Sequence, residues 1–248
     1  MRSTDSVFGK WRAWVSLLLA LGIGLAFLIA LATERRSTDA PKIRVGSNDV
    51  IYYVRRATAK DAGELARALQ EIGFLTDRGA GVVLSKGAGG AVVSFVLSSG
   101  AWDQPDAIFN FGEIGRRIAP SVGGFPFRVW LVDAKFAKRR ELVVGKETIG
   151  MRDTIFYYGS ATSQDAQALG QSLRSAGALQ DTGSTVVLAK GDVTTISFVV
   201  QQKPWERPEV VAVYEKLLRR VAPSVGGLPA KLRFLDAGGV MHKEVSIL

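Results

Sequence analysis

The chain has 248 residues, no cysteine, one histidine and a formal net charge of +9. Without cysteine there are no disulfides, thiolate metal sites or cysteine nucleophiles. The charge excess is +3 over residues 1–43, +4 over 44–143 and +2 over 144–248, so no segment has a concentrated basic footprint and no specific nucleic-acid partner is expected.

Residues 1–12 form a short tail carrying Arg2, Lys10 and Arg12. Ala13 to Thr33 contains no charge. At about 1.5 Å per residue a helix of this length crosses a ~30 Å hydrocarbon core, and Trp11 and Trp14 suit the interface. Residues 13–33 are therefore expected to be a single transmembrane helix, with the membrane as partner. An N-in anchor puts the bulk of the chain outside the cytoplasm. The alternative is a signal peptide cleaved near Ala32, since Ala30-Leu31-Ala32 fits a small-x-small site. Glu34-Arg35-Arg36 stops the apolar run, and residues 34–43 read as a polar linker.

The rest of the chain repeats itself. Arg116-Arg117-Ile118-Ala119-Pro120-Ser121-Val122-Gly123-Gly124-Phe125-Pro126 recurs as Arg219-Arg220-Val221-Ala222-Pro223-Ser224-Val225-Gly226-Gly227-Leu228-Pro229. A constant offset over most of the sequence defines two tandem repeats, 44–143 and 144–248.

Each repeat reads in the same order. Asp49–Arg56 and Asp153–Tyr158 are β-branched and aromatic, hence strands. Thr58 with Asp61, and Thr162 with Asp165, open helices as capping boxes with Asp in place of Glu. Ala62, Leu65, Leu69 and Ile72 then follow helical spacing, as do Ala166, Leu169, Leu173 and Ala176. Gly73 and Gly177 end the helices. Hairpins follow: residues 82–86 with 91–97, and 185–190 with 195–200, the second turn one residue shorter. Second helices start near Pro105 and Pro208, and Ala-Pro-Ser-Val-Gly-Gly is expected to stop them. Fourth strands are expected at 127–132 and 231–235, fifth strands at 140–144 and 243–247.

The element order is βαββαβ with an added β. The expected fold is α+β: an N-terminal transmembrane helix followed by two tandem ferredoxin-like βαββαβ(β) repeats, each a single antiparallel sheet with two helices on one face. Such a fold does not specify function.

Few residues suggest chemistry. His242 has Arg139 as its counterpart, so the repeats share no histidine-based pair. Carboxylates recur at Asp49/Asp153, Asp61/Asp165, Asp77/Asp181 and Asp133/Asp236 without acid–base pairing or metal spacing. No catalytic residue, metal or cofactor is expected. Lys86 with Gly87-Ala88-Gly89-Gly90 joins two strands and is not a phosphate loop. The best candidate ligand or partner surface is the duplicated block, through Arg116, Arg117, Ser121, Gly123, Gly124, Arg219, Arg220, Ser224, Gly226 and Gly227. Arginines beside a glycine turn could hold an anion. Structurally, arginines in a last helical turn complement the dipole while Pro and Gly shape the turn. Trp102 and Trp205, just before the second helices, join the candidates as ligand platforms or loop staples. Tyr52, Tyr53, Phe156, Tyr157 and Tyr158 could stack on a bound chain if they face outward.

The pattern Ala62-x-x-Leu65-x-x-x-Leu69-x-x-x-Gly73 after a strand, and Ala166-x-x-Leu169-x-x-x-Leu173-x-x-x-Gly177 likewise, resembles the SPOR domain of bacterial envelope proteins. The resemblance covers about a quarter of each repeat and implies an envelope role with peptidoglycan as ligand. The reading favoured by the whole sequence is a membrane-anchored, non-catalytic interaction or scaffold protein with an envelope protein or glycan as partner. Anion binding through the duplicated loops is a further alternative.

Overall fold

A computed structural model describes residues 40–104, 106–201 and 203–248. The tail, the Ala13–Thr33 segment, the cleavage site near Ala32, most of the linker and Pro105 lie outside the described residues. Among the described residues no helix is long and apolar enough to cross a membrane. The protein is mixed α+β, with a large sheet and four α-helices among the described residues.

The chain forms two compact units. The first comprises residues up to Ala107 together with Arg117–Leu142; the second comprises Ile108–Arg116 and Val143–Leu248.

In the first unit β1 (Lys42–Val45) pairs antiparallel with β2 (Asp49–Arg55). Helix α1 (Ala59–Glu71) leads to β3 (Gly81–Gly87), which lies parallel to β2. β4 (Gly90–Val96) returns antiparallel to β3, and β5 (Phe127–Val132) lies parallel to β4. Helix α2 (Ala107–Val122) connects β4 to β5 in the chain, with its Ile108–Arg116 stretch counted in the second unit. β6 (Lys138–Ile149) is a single 12-residue strand, divided between the units at Leu142.

The second unit repeats this scheme. The C-terminal half of β6 pairs antiparallel with β7 (Asp153–Gly159). Helix α3 (Ser163–Ser175) leads to β8 (Thr185–Lys190), parallel to β7. β9 (Thr194–Val199) is antiparallel to β8. Helix α4 (Pro208–Val221) leads to β10 (Ala230–Leu235), parallel to β9, and β11 (Met241–Ile247) closes antiparallel to β10.

This order corrects the ferredoxin-like expectation and the arrangement implied by the SPOR resemblance. A split βαβ inserts another strand between its two parallel strands. Here β2 and β3 are direct parallel neighbours, as are β4 and β5, β7 and β8, and β9 and β10. Within each unit the strands are mixed, parallel and antiparallel, and pair in chain order. The βαββαβ element sequence was legible, but it does not state which strands pair.

Two further differences concern element ends. The expected linker reached residue 43, yet β1 starts at Lys42. The expected fifth strand at 140–144 is the first half of β6, whose second half, Lys146–Ile149, aligns with β1. One strand thus ends the first repeat and opens the second.

The helices form for the reasons their sequences suggest. Thr58 Oγ1 accepts from the Asp61 N–H at 3.2 Å and Asp61 Oδ2 accepts from the Thr58 N–H at 2.8 Å; Thr162 and Asp165 do the same. Each pair satisfies orphan donors at a helix start, and such caps contribute about 1 kcal/mol. Ala62, Leu65, Ala66 and Leu69 form the buried stripe of α1, and Ala166, Leu169, Gly170 and Leu173 that of α3. Gly73 and Gly177 take φ of 74° and 75° after the last turn, where a residue without Cβ is favoured.

The recurring aspartates latch loops. Asp49 is fully buried and accepts from the Asp77 and Ala80 N–H groups, both at 2.7 Å. Asp153, also fully buried, accepts from Asp181, Gly183 and Ser184 at 2.8, 3.0 and 2.8 Å. Burial acts to raise the Asp153 pKa, but these backbone donors outweigh it and hold the carboxyl below its ordinary value. Asp77 in turn accepts from Ser47 and Asn48, and Asp181 from Met151 and Arg152.

Candidate functional site

The glycine N–H groups and serine hydroxyls of the duplicated block bond the carbonyls of its own helix ends. The N–H groups of Gly123 and Gly124 donate to the Ala119 carbonyl, and those of Gly226 and Gly227 to the Ala222 carbonyl. The four glycines have φ between 84° and 115°, the left-handed region that reverses the chain. Ser121 Oγ donates to the Ile118 carbonyl and Ser224 Oγ to the Val221 carbonyl, each at 2.7 Å. An anion cradle needs convergent free donors, and these donors already close helix ends.

The arginines have separate fates. Arg116 pairs with Glu113 at 2.8 Å, both side chains nearly covered, and its guanidinium stands 5.2 Å from the Phe156 ring centroid. Arg117 is half-buried and already has a partner. Arg219 is exposed and donates to the Leu248 carbonyl at 2.7 Å. Arg220 is exposed, has no ion pair among the described residues, and borders a cleft of the second unit. The expectation that both pairs sit in a last helical turn holds for Arg219 and Arg220 alone. In the first copy α2 runs through Pro120 to Val122, leaving Arg116 and Arg117 before the last turn. In the second, the prolyl segment Ala222–Val225 is a 3-10 turn.

Trp102 and Trp205 lie in equivalent 3-10 turns, Ala101–Asp103 and Pro204–Glu206. Each is half-buried with a nitrogenous group over one face. The Arg139 guanidinium lies 5.6 Å from the Trp102 centroid and hydrogen-bonds Asp133 at 2.6 Å. The His242 ring stacks on Trp205 at 4.1 Å with a 5° interplanar angle, and its Nε2 is 2.9 Å from Asp236. Trp205 also packs on the core of the second unit. Each tryptophan thus has one face covered, and Trp205 in addition staples its loop to the core of the second unit.

The aromatic first strands do not form an outward stacking surface in the second unit. Tyr157 and Tyr158 are buried. Tyr158 Oη donates to Glu113 at 3.3 Å, and burial, reinforced by the Glu113 charge, pushes its hydroxyl pKa well above the ordinary value. A Cβ on Gly112 would collide with the Tyr158 ring. This Glu113–Arg116–Tyr158 group was missed in the sequence. The available signal was a glycine in a helix interior, which costs about 1 kcal/mol relative to alanine and marks close packing.

The second unit also holds a cleft of about 460 Å³. Val186, Phe198, Leu179, Tyr214 and Leu217 provide its apolar walls, and Lys216 and Arg220 its cations. Burial raises the Tyr214 pKa above its ordinary value. Among the described residues no three His, Asp or Glu side chains are grouped to hold a metal. No family model, curated protein or solved structure matches the chain.

Proposed function

We propose that the protein is a membrane-anchored, non-catalytic interaction protein that presents its two α+β repeats as a scaffold outside the cytoplasm. The observation that carries this reading is the use made of the recurring carboxylates. Asp49 and Asp153 latch loops, Asp61 and Asp165 cap helices, and Asp77 and Asp181 tie the turns before β2 and β7. Asp133 and Asp236 accept backbone N–H groups within the last hairpins. The polar groups common to both copies thus build the frame, leaving recognition to surfaces where the copies differ. The anchor rests on the uncharged Ala13–Thr33 segment.

Two measurements on the full chain test the reading. Protease added to intact cells should cut within 44–248; protection until lysis reverses the orientation. A photo-crosslinking residue at Met151, 84% exposed, or at Leu228 should give a discrete protein adduct. A correctly localised chain that gives none at either position argues against a scaffold.

A further inference from the structure

The first unit plugs the corner after its first helix. Phe74 follows the helix-ending Gly73, is 7% exposed, and meets Phe95 edge-on with centroids 4.9 Å apart. The second unit has Ala178 after Gly177, and Phe198 aligns with Phe95. With no ring supplied from the helix end, the 460 Å³ cleft stands open there, within the range of small-ligand sites.

Its mouth has also diverged. Val213, Lys216 and Arg220 lie along α4 at i, i+3 and i+7 and all border the cleft. The aligned residues in the first copy are Asn110, Glu113 and Arg117. The second copy therefore gains an apolar residue, 63% exposed, and exchanges an acid for a base. No acidic side chain lines the cleft, and neither Lys216 nor Arg220 has an ion pair among the described residues.

We propose that this cleft binds a fatty-acid-like carboxylate, its aliphatic chain against Ala178, Val200, Val213 and Leu217 and its head group at Lys216 and Arg220. The apolar walls select the chain and the two cations select the sign of the head. A lone apolar groove would make no such distinction. This assignment is independent of the scaffold reading, since a scaffold can carry such a ligand or lack one.

The test uses the full chain in phosphatidylcholine nanodiscs with a diazirine-bearing dodecanoate, and maps the labelled peptides by mass spectrometry. Adducts are expected within 176–186 and 198–217. Excess dodecanoate should remove them; dodecylamine and acetate should not. Ala178→Phe, which copies the first unit, should abolish labelling while leaving the melting temperature unchanged or higher. Lys216→Gln with Arg220→Gln should weaken binding about tenfold or more, as loss of two charge-assisted contacts implies. Undiminished labelling of Ala178→Phe, or equal competition by dodecylamine, overturns the proposal. Should Ala178→Phe fail to fold, the double glutamine variant, confined to exposed side chains, decides the matter: unchanged affinity overturns it.

Discussion

At the end of their first helices the two units differ by one aromatic ring. The first places Phe74 against Phe95; the second places Ala178 beside Phe198 and leaves space. Around this difference the frame is conserved down to single hydrogen bonds. Asp61 binds Lys86 at 2.8 Å, and Asp165 binds Lys190 at 2.9 Å. Asp49 and Asp153 hold the same loop. The comparison separates what the architecture requires from what it tolerates: buried carboxylates latching backbone are kept, while a core ring at the helix end is dispensable in one copy.

The largest effect should come from making the first unit resemble the second. Phe74→Ala removes a buried ring and should cost about 3–5 kcal/mol in chemical denaturation, the usual range for Phe→Ala in a core. A loss under about 1 kcal/mol would mean the corner collapses freely, and the open cleft would then need another explanation.

Next come the latches. Asp153→Ala strands three backbone donors that a buried carboxylate now satisfies, and should cost about 2–4 kcal/mol. Asp49→Ala should cost a similar amount. A large difference between the two would break the equivalence of the frames, and paired urea titrations would show it.

A pH effect sharpens the comparison of the caps. Asp61 is held down to about 2, chiefly by the Lys86 hydrogen bond and then by Thr58. At Asp165 burial acts upward, but Lys190 and Thr162 outweigh it and the pKa is also lowered. A depressed folded-state pKa contributes stability that is present above the ordinary value of 3.8 and lost as pH falls through about 2. Lys86→Met should therefore raise the Asp61 midpoint in a carboxyl carbon NMR titration and flatten this part of the acid limb. An unmoved midpoint would assign the shift to the cap alone.

The smallest effect should come from Ser197. Its hydroxyl is buried without a hydrogen-bond partner among the described residues, so Ser197→Ala should be neutral or slightly stabilising, within about 1 kcal/mol. A clear loss in thermal denaturation would reveal a bonded hydroxyl.

Local signals in the sequence were reliable where they had local causes. Capping boxes, helix-ending glycines and the shorter second hairpin depend on neighbouring residues. Four residues separate Lys86 from its partner Ala91, and three separate Lys190 from Thr194. Strand order was not legible, because pairing β2 directly with β3 is a choice among distant segments. β1 was missed because Lys42-Ile43-Arg44-Val45 is short and half charged, although the Gly46-Ser47-Asn48 turn that follows it was a signal for a hairpin. The candidate arginines were visible as a repeated pair, but their separate environments depend on tertiary neighbours. The cleft is encoded in departures from the repeat, Phe74 against Ala178 and Glu113 against Lys216, whereas the identities between the copies mark turn-forming residues.

β6 imposes a rule of parity on the chain. Its buried positions are even-numbered at Leu142 and Val144, then pass to Gly145 and Ile149. Gly145 lies opposite Tyr157, whose ring occupies the space a side chain would need. Because successive strand residues point to opposite faces, one residue added or deleted on either side of this switch would turn the rest of that half inside out. Length changes here keep every face in phase only in twos, unless a bulge absorbs the odd residue, whereas the β3–β4 and β8–β9 turns absorb them singly. A gene that gained or lost one codon in β6 would invert a strand face, while the same event in a hairpin turn would leave every core side chain in place.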